Sequence, residues 1–448
     1  MKKMTHRLLS VCIAVIEEKA SMERVVITGI GVVAPKGIGK DAFWETLSTG
    51  KSAADLVQLD NRERFRSQVV AAIVDWDPYC SGLNDDEVAR TSRHTQFGLV
   101  AAQEAYKESN LHLADLDTTR IGVAAGTAIG STLRLEQEYA TVSKQATDFN
   151  VDPALASSFL YHAMSPSSLS AEVAVKFHVQ GPVVTVSTGC TAGIDAIAHA
   201  FEWIRSGEAD VVIAGAAEAG ICPVNIASFD AIKGTTPRNN EPKTASRPFD
   251  GTRNGFVLGE GSAFLILESL EHAIKRHAPI IYAEITGYGS ALNAYHMTGL
   301  QRDALDMIQA IEAALQMAQL APEDIQYINA HGSSTRQNDI HETNAIKAIW
   351  QKQAHNVPIS SIKSMIGHSL GAIGAIETAA CALVLQHRLI PPTINYHTPD
   401  PECDLDYVPN VAREQAVENI VSTASGFGGF QSALVLSRFP ESEGDIYA

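Results

Sequence analysis

One pattern occurs twice in this chain and constrains its fold more than any other: a short β-rich run enters a glycine-containing elbow and leaves it as a helix. In the first copy Val183-Val184-Thr185-Val186 runs into Ser187-Thr188-Gly189-Cys190, followed by helically spaced apolar residues Ile194, Ile197, Phe201 and Ile204. In the second, Val357-Pro358-Ile359-Ser360-Ser361-Ile362 leads through Lys363 and Met365-Ile366-Gly367-His368 into a small-residue helix from Gly371 through Ala380. β-rich runs alternating with helical periods require an α/β architecture whose sheets are covered on both faces. Using one unit in each half of the chain points to a duplicated fold. A length of 448 residues also exceeds what one hydrophobic core usually supports. Leu270-Glu271-His272 and Lys275-Arg276-His277 interrupt two apolar runs, so the expected division is an extension over 1–21, one half over 22–275 and a second over 276–448.

Composition excludes several classes of function. A formal net charge of −17 argues against binding nucleic acid or an anionic membrane, since both need a basic footprint. An acidic partner must therefore find a local basic patch, and Arg62, Arg64 and Arg66 form such a cluster. Six cysteines (Cys12, Cys80, Cys190, Cys222, Cys381 and Cys403) lie far apart without a CxxC pair, against a zinc ribbon or disulfide framework and in favour of a reducing cytoplasm. No apolar run approaches the ~18 residues needed to span a bilayer. The start, Met1-Lys2-Lys3 with Leu8 through Ile16, imitates a signal peptide, but Glu17-Glu18-Lys19 occupies the cleavage region. Residues 1–21 read as an extension before Met22 and the strand Arg24-Val25-Val26-Ile27-Thr28.

Cys190 is the only cysteine placed at a helix start, where unpaired amide groups lower a thiol pKa and favour the thiolate nucleophile. Its flanking Gly189 and Gly193 open backbone space beside it. His331 and His368 each follow a β-rich run at a glycine turn, where α/β folds present reactive side chains. Neutral imidazole N–H groups suit the stabilisation of a developing thioester oxyanion, a role worth ~3 kcal/mol for one donor. Lys363, a short turn before His368, can set the local charge. Asp339 and Glu342 match a helix N-cap and its third residue, so a capping box competes with a site role for Glu342. Asp195 suits the dipole of the Cys190 helix.

Three decoys fail on their own terms. His341-Glu342 lacks the second histidine of a zinc-protease helix. Gly29-Ile30-Gly31 imitates a dinucleotide loop, but Pro35 and Gly37 interrupt the helix that should follow. Ser425-Gly426-Phe427-Gly428-Gly429 is too compact for a phosphate loop and lacks its lysine, leaving a flexible turn that exposes a backbone N–H.

At Thr188-Gly189-Cys190-Thr191-Ala192-Gly193, Asn329-Ala330-His331-Gly332-Ser333-Ser334-Thr335 and Ser361-Ile362-Lys363-Ser364-Met365-Ile366-Gly367-His368 the chain resembles the β-ketoacyl synthases, from Met22 to about Arg438. Segments 336–343, 400–409 and 425–431 look most like the KSα subunits of type II polyketide synthases, with Ser425 where fatty-acid enzymes carry phenylalanine. The resemblance implies the thiolase fold: duplicated halves in five αβαβα layers, built as a dimer. It implies Cys190 as acyl acceptor, His331 and His368 as donors to the thioester oxygen, and Lys363 paired with Glu342 to organise the site. The N–H groups of Cys190 and Phe427 would form the oxyanion hole, with Phe427 as gate. No cofactor is implied beyond the 4′-phosphopantetheine of an acyl carrier protein, expected to dock at Arg62, Arg64 and Arg66. A chain-length factor (KSβ) would be the heterodimer partner. A fatty-acid elongating synthase shares this chemistry. A degradative thiolase would need a second cysteine where Ser425 stands, and a chain-length factor would lack Cys190.

Overall fold

The computed structural model describes residues 22–145, 147 and 151–440. The expected extension over 1–21, with Cys12, lies outside the described residues. The first half contributes strands β1 (Val25–Ala34), β2 (Ile121–Gly126), β3 (Val183–Val186), β4 (Val211–Glu218) and β5 (Gly261–Ser269). The second contributes β6 (Ala283–Leu292), β7 (Tyr327–Asn329), β8 (Ile359–Ser360), β9 (Asn419–Gly426) and β10 (Phe430–Ser437). Their spatial orders are β1-β5-β4-β2-β3 and β6-β10-β9-β7-β8, the same permutation. In both halves the first two pairings are antiparallel and the last two parallel. The duplication inferred from two elbows therefore extends to the whole sheet topology. Antiparallel pairing of Val25, Val26 and Ile27 with Ile285, Glu284 and Ala283 joins the half-sheets edge to edge. The chain crosses between halves at the helix Leu270–Lys275.

Five layers result. Helix α1 (Arg93–Glu108) covers the outer face of the first half-sheet, while α3 (Leu305–Ala318), flanked by α4 (Arg336–Trp350), covers that of the second. Between the half-sheets lie α2 (Ala192–Arg205) and α5 (Ile373–His387), packed on each other and on strands of both halves. This is the thiolase fold. Ile194, Ile197, Phe201 and Ile204 are all buried, as their helical spacing requires. Small residues permit the central packing: a Cβ on Gly193 would stand 2.5 Å from the Ala375 nitrogen, and one on Gly374 2.8 Å from the Ile194 nitrogen.

Two expectations need correction. Gly29 and Gly31 lie inside β1 and not in a loop, and a Cβ there would meet the carbonyl oxygens of Ala105 and Ala101 at 2.3 and 1.9 Å. Their absent side chains let α1 lie directly on the strand. Among the described residues one segment does reach membrane-spanning length and hydropathy, Leu370–His387, with 18 residues of mean hydropathy 1.4. It is the central helix, 89% buried within the protein, and its apolar character belongs to the core.

Candidate active site

Both elbows deliver their side chains to one cavity of about 460 Å³, lined by Cys190, His331, His368, Phe256, Ser425 and Phe427 among others. Cys190 sits in the tight turn Gly189–Thr191 that opens α2. Gly189 takes φ +66°, a backbone conformation that favours glycine. Asp195 does more than complement the helix dipole. Its carboxylate accepts from the Thr188 hydroxyl, from Thr191 Oγ1 at 2.7 Å, from Tyr288 at 3.0 Å and from Ser432 at 2.5 Å. The first two belong to the elbow and the last two to β6 and β10, so one residue fastens the Cys190 turn to the other half-sheet. Sequence reasoning missed this, since Tyr288 and Ser432 are remote along the chain.

The histidines are held by their backbones and buried. His331 donates its N–H to Glu342 Oε1 at 2.7 Å and to Thr423 Oγ1 at 3.2 Å. His368 lies in a parallel bridge opposite Leu258, its N–H on the Val257 carbonyl at 2.8 Å. Its ring meets that of His331 nearly edge to face, with centroids 5.1 Å apart. The Leu370 N–H donates to His368 Nδ1 at 3.2 Å, so a neutral His368 carries its proton on Nε2. Burial drives both imidazoles well below their usual pKa, assisted by the positive charge of Lys363. Both are neutral at pH 7.

The expected pairing of Lys363 with Glu342 does not form. Lys363 Nζ contacts Glu377 Oε1 at 2.5 Å, with both side chains buried, while Glu342 accepts N–H groups from His331 and, at 2.8 Å, Gly332, and the Thr423 hydroxyl at 2.6 Å. The capping box also fails: Thr335 caps α4, accepting from the Asn338 N–H, and places Asp339 and Glu342 inside the helix. From there Asp339 pairs with Arg253 at 3.2 Å and Glu342 shapes the His331 turn. Lys363 nevertheless exerts its charge on Cys190 and both histidines.

The expected lowering of the Cys190 pKa is overturned as well. Burial pushes the thiol up to about 12, against opposition from the positive charge of Lys363 and from the nearby backbone N–H of Phe427. A buried anion loses its hydration, and here that loss outweighs the favourable neighbours. Phe427 stands in the tight hairpin turn between β9 and β10, where Gly428 and Gly429 take φ of +93° and +89°. The Gly428 N–H donates to the Met297 carbonyl at 2.6 Å, which ties this turn to the loop on the cavity's other side.

The basic cluster is divided. Arg66 turns inward, its guanidinium donating to the Thr235 carbonyl at 2.6 Å and to Ser67 Oγ at 3.2 Å, while Asp230 accepts its backbone N–H at 2.8 Å. Arg64 is exposed and Arg62 half-buried. The turn is thereby fastened to segment 230–235, and Ile232, Lys233 and Gly234 line the cavity.

The sequence matches the β-ketoacyl synthase N-terminal domain over residues 22–273 and the C-terminal domain over 282–397. It is 53% identical over 414 residues to a putative polyketide β-ketoacyl synthase 1 of Streptomyces halstedii, covering 92% of this chain and 98% of the relative. To the ketoacyl synthase alpha subunit of the tetracenomycin polyketide synthase of Streptomyces glaucescens it is also 53% identical, covering 93% and 97%. Among solved structures it resembles a type II polyketide ketosynthase in complex with its acyl-carrier protein, with TM-score 0.87, 42% identity and coverage of 94% and 100%. With the acyl-accepting cysteine and both histidines of the resemblance on one cavity wall, this chain belongs to the β-ketoacyl synthase family, among the KSα relatives of type II polyketide synthases.

Proposed function

We propose that this chain is the condensing subunit of a type II polyketide synthase, an acyltransferase that extends a chain on Cys190. The observation that carries the reading is the convergence of Cys190, His331 and His368 on one buried cavity under the charge of Lys363. The Cys190 thiol attacks an acyl thioester brought on the 4′-phosphopantetheine arm of a carrier protein. The acyl–sulfur bond transfers to Cys190, and the thiol proton leaves with the departing carrier thiol. The chain itself requires no cofactor for this. Malonyl carrier protein then loses CO₂, and the enolate oxygen is held by the imidazole N–H groups of His331 and His368, with His368 presenting Nε2–H. The enolate carbon attacks the Cys190 thioester. The resulting oxyanion is met by the N–H groups of Cys190 and Phe427, and collapse releases the Cys190 sulfur. Lys363 favours each anionic stage, while Glu342 supports the His331 turn without touching Lys363. Cys190→Ala should abolish the covalent acyl adduct seen by intact-protein mass spectrometry. His331→Ala and His368→Ala should still load acyl groups while CO₂ release collapses. Persistence of an adduct on Cys190→Ala would remove the nucleophile assignment.

Two surfaces support partners. Arg62 and Arg64, on a turn tied to the cavity rim, together with Lys233 on that rim, offer positive charge to an acidic carrier protein. In the first half, β3 is an edge strand paired on one side only, with Val183 exposed, and Leu135, Tyr139, Tyr161 and Met164 leave apolar surface open. A homologous subunit lacking the nucleophile, a chain-length factor, suits such surfaces, and a tunnel shared with it would shield a reactive poly-β-ketone from water. Co-expression with the neighbouring gene and native mass spectrometry tests this. A homodimer that alone builds a defined long polyketide contradicts it. The free thiols of Cys80, Cys190, Cys222, Cys381 and Cys403 suit the reducing cytoplasm.

A further inference from the structure

Glu218 ends β4 with its side chain fully buried, in none of the motifs that mark the site. Its carboxylate collects neutral donors from both halves of the molecule. Oε1 accepts from Thr127 Oγ1 at 3.0 Å and the Ile129 N–H at 3.4 Å, and Oε2 from the Ala128 N–H at 2.7 Å and the Gly371 N–H at 3.2 Å. Residues 127–129 follow β2 in the first half, and Ala128 and Ile129 pack against the apolar cluster that contains Cys190 and Leu370. Gly371 belongs to the second half and directly follows Leu370, whose N–H occupies His368 Nδ1. The two segments are in direct contact: a Cβ on Gly371 would stand 2.3 Å from the Ala128 nitrogen and 2.9 Å from Glu218 Oε2.

We infer that Glu218 is a positioning residue for the condensation, clamping the Leu370–Gly371 turn against the wall behind Cys190 and so keeping the His368 proton on Nε2. A neutral imidazole has two tautomers, and the hydrogen bond at one nitrogen decides which is held. If the turn relaxes, Leu370 withdraws its N–H from Nδ1 and the proton distributes over both nitrogens. The form protonated on Nδ1 has no donor at Nε2. A glutamine in place of Glu218 still offers one oxygen to Ala128 and Gly371, and its amide can donate to Thr127 Oγ1. A leucine offers nothing, and an aspartate, one methylene shorter, cannot span both segments.

The inference rests on the donor role proposed for His368, and the test separates the two. In the full chain with ¹⁵N-labelled histidine, the His368 tautomer is read from its ring-nitrogen shifts, assigned with His368→Asn. Acyl loading and CO₂ release from malonyl carrier protein are measured on the same preparations. Wild type and Glu218→Gln should show a single Nε2–H tautomer. Glu218→Leu should show a mixture, with kcat for CO₂ release lowered about tenfold, short of the ~10²–10³ expected for deleting a donor outright, and KM little changed. Glu218→Asp carries the same comparison should the leucine variant not fold. An unchanged tautomer in Glu218→Leu or Glu218→Asp overturns the clamp. A mixed tautomer with undiminished CO₂ release upholds the clamp and overturns the donor role of His368.

Discussion

Replacing Lys363 by methionine separates what the buried ion pair does for stability from what it does for chemistry. Lys363 and Glu377 have side-chain exposures of 1% and 0% and meet at 2.5 Å. Methionine replaces the stem of the lysine at similar volume, so the variant deletes the charge and leaves little void. Glu377 then remains buried without a cation. Burial already pushes its carboxyl up to about 7 against the pull of Lys363, and loss of Lys363 pushes it higher. At pH 7 the folded variant therefore binds a proton there that the unfolded chain, with its ordinary carboxyl, has released. Breaking a buried pair by removing one partner costs about 3–5 kcal/mol. Because the wild-type carboxyl itself takes up a proton near pH 7 while the variant already holds one, the loss should shrink as pH falls through about 7 and level off below it. The double variant Lys363→Met/Glu377→Leu removes the orphaned charge and should regain most of the stability. It should not regain CO₂ release, since Cys190, His331 and His368 still lack the neighbouring cation. Urea unfolding at pH 7.5 and 5.5, with decarboxylation assays on the same proteins, measures both. The reasoning fails if the single variant loses less than ~1 kcal/mol, the scale of an exposed pair, or if its loss grows on acidification.

His331 and His368 titrate well below ordinary histidine, so CO₂ release should stay level as pH falls through 6.5 and drop only at distinctly lower pH. A midpoint near 6.5 in the pH–rate profile would contradict their burial-driven neutrality. With the Cys190 thiol pushed up to about 12, alkylation by iodoacetamide should keep rising with pH beyond 9, and a plateau below pH 8 would show a stabilised thiolate instead. Arg62→Glu/Arg64→Glu should raise the KM for acyl carrier protein, most at low salt, with activity toward a small thioester unchanged. An unaltered KM at low ionic strength moves the docking surface elsewhere.

The order of elements, the duplication and the positions of Cys190, His331 and His368 at glycine-containing turns were legible along the chain. Each is set by local physics: a hydrophobic period that changes from strand to helix, a glycine where φ is positive, and a reactive side chain at the point of change. Gly189, Cys190 and α2 show this directly, since spacing alone placed the elbow and the buried face of its helix. What tertiary structure decided was which charges meet and at what depth. Glu342, placed by sequence either on Lys363 or in a capping box, instead receives the N–H groups of the His331 turn, because Thr335 starts α4 earlier and turns the carboxylate inward. Lys363 finds Glu377 on the central helix, 14 positions along the chain. Arg66, one of three clustered arginines, folds back onto the Thr235 carbonyl. The Cys190 pKa rises where the helix dipole alone predicts a fall, because the dipole belongs to the local turn while desolvation belongs to everything packed over it. Asp195 and Glu218, which fasten one half of the site to the other, carry no local signature, because their partners lie in segments that approach only when the two half-sheets close on the central helices.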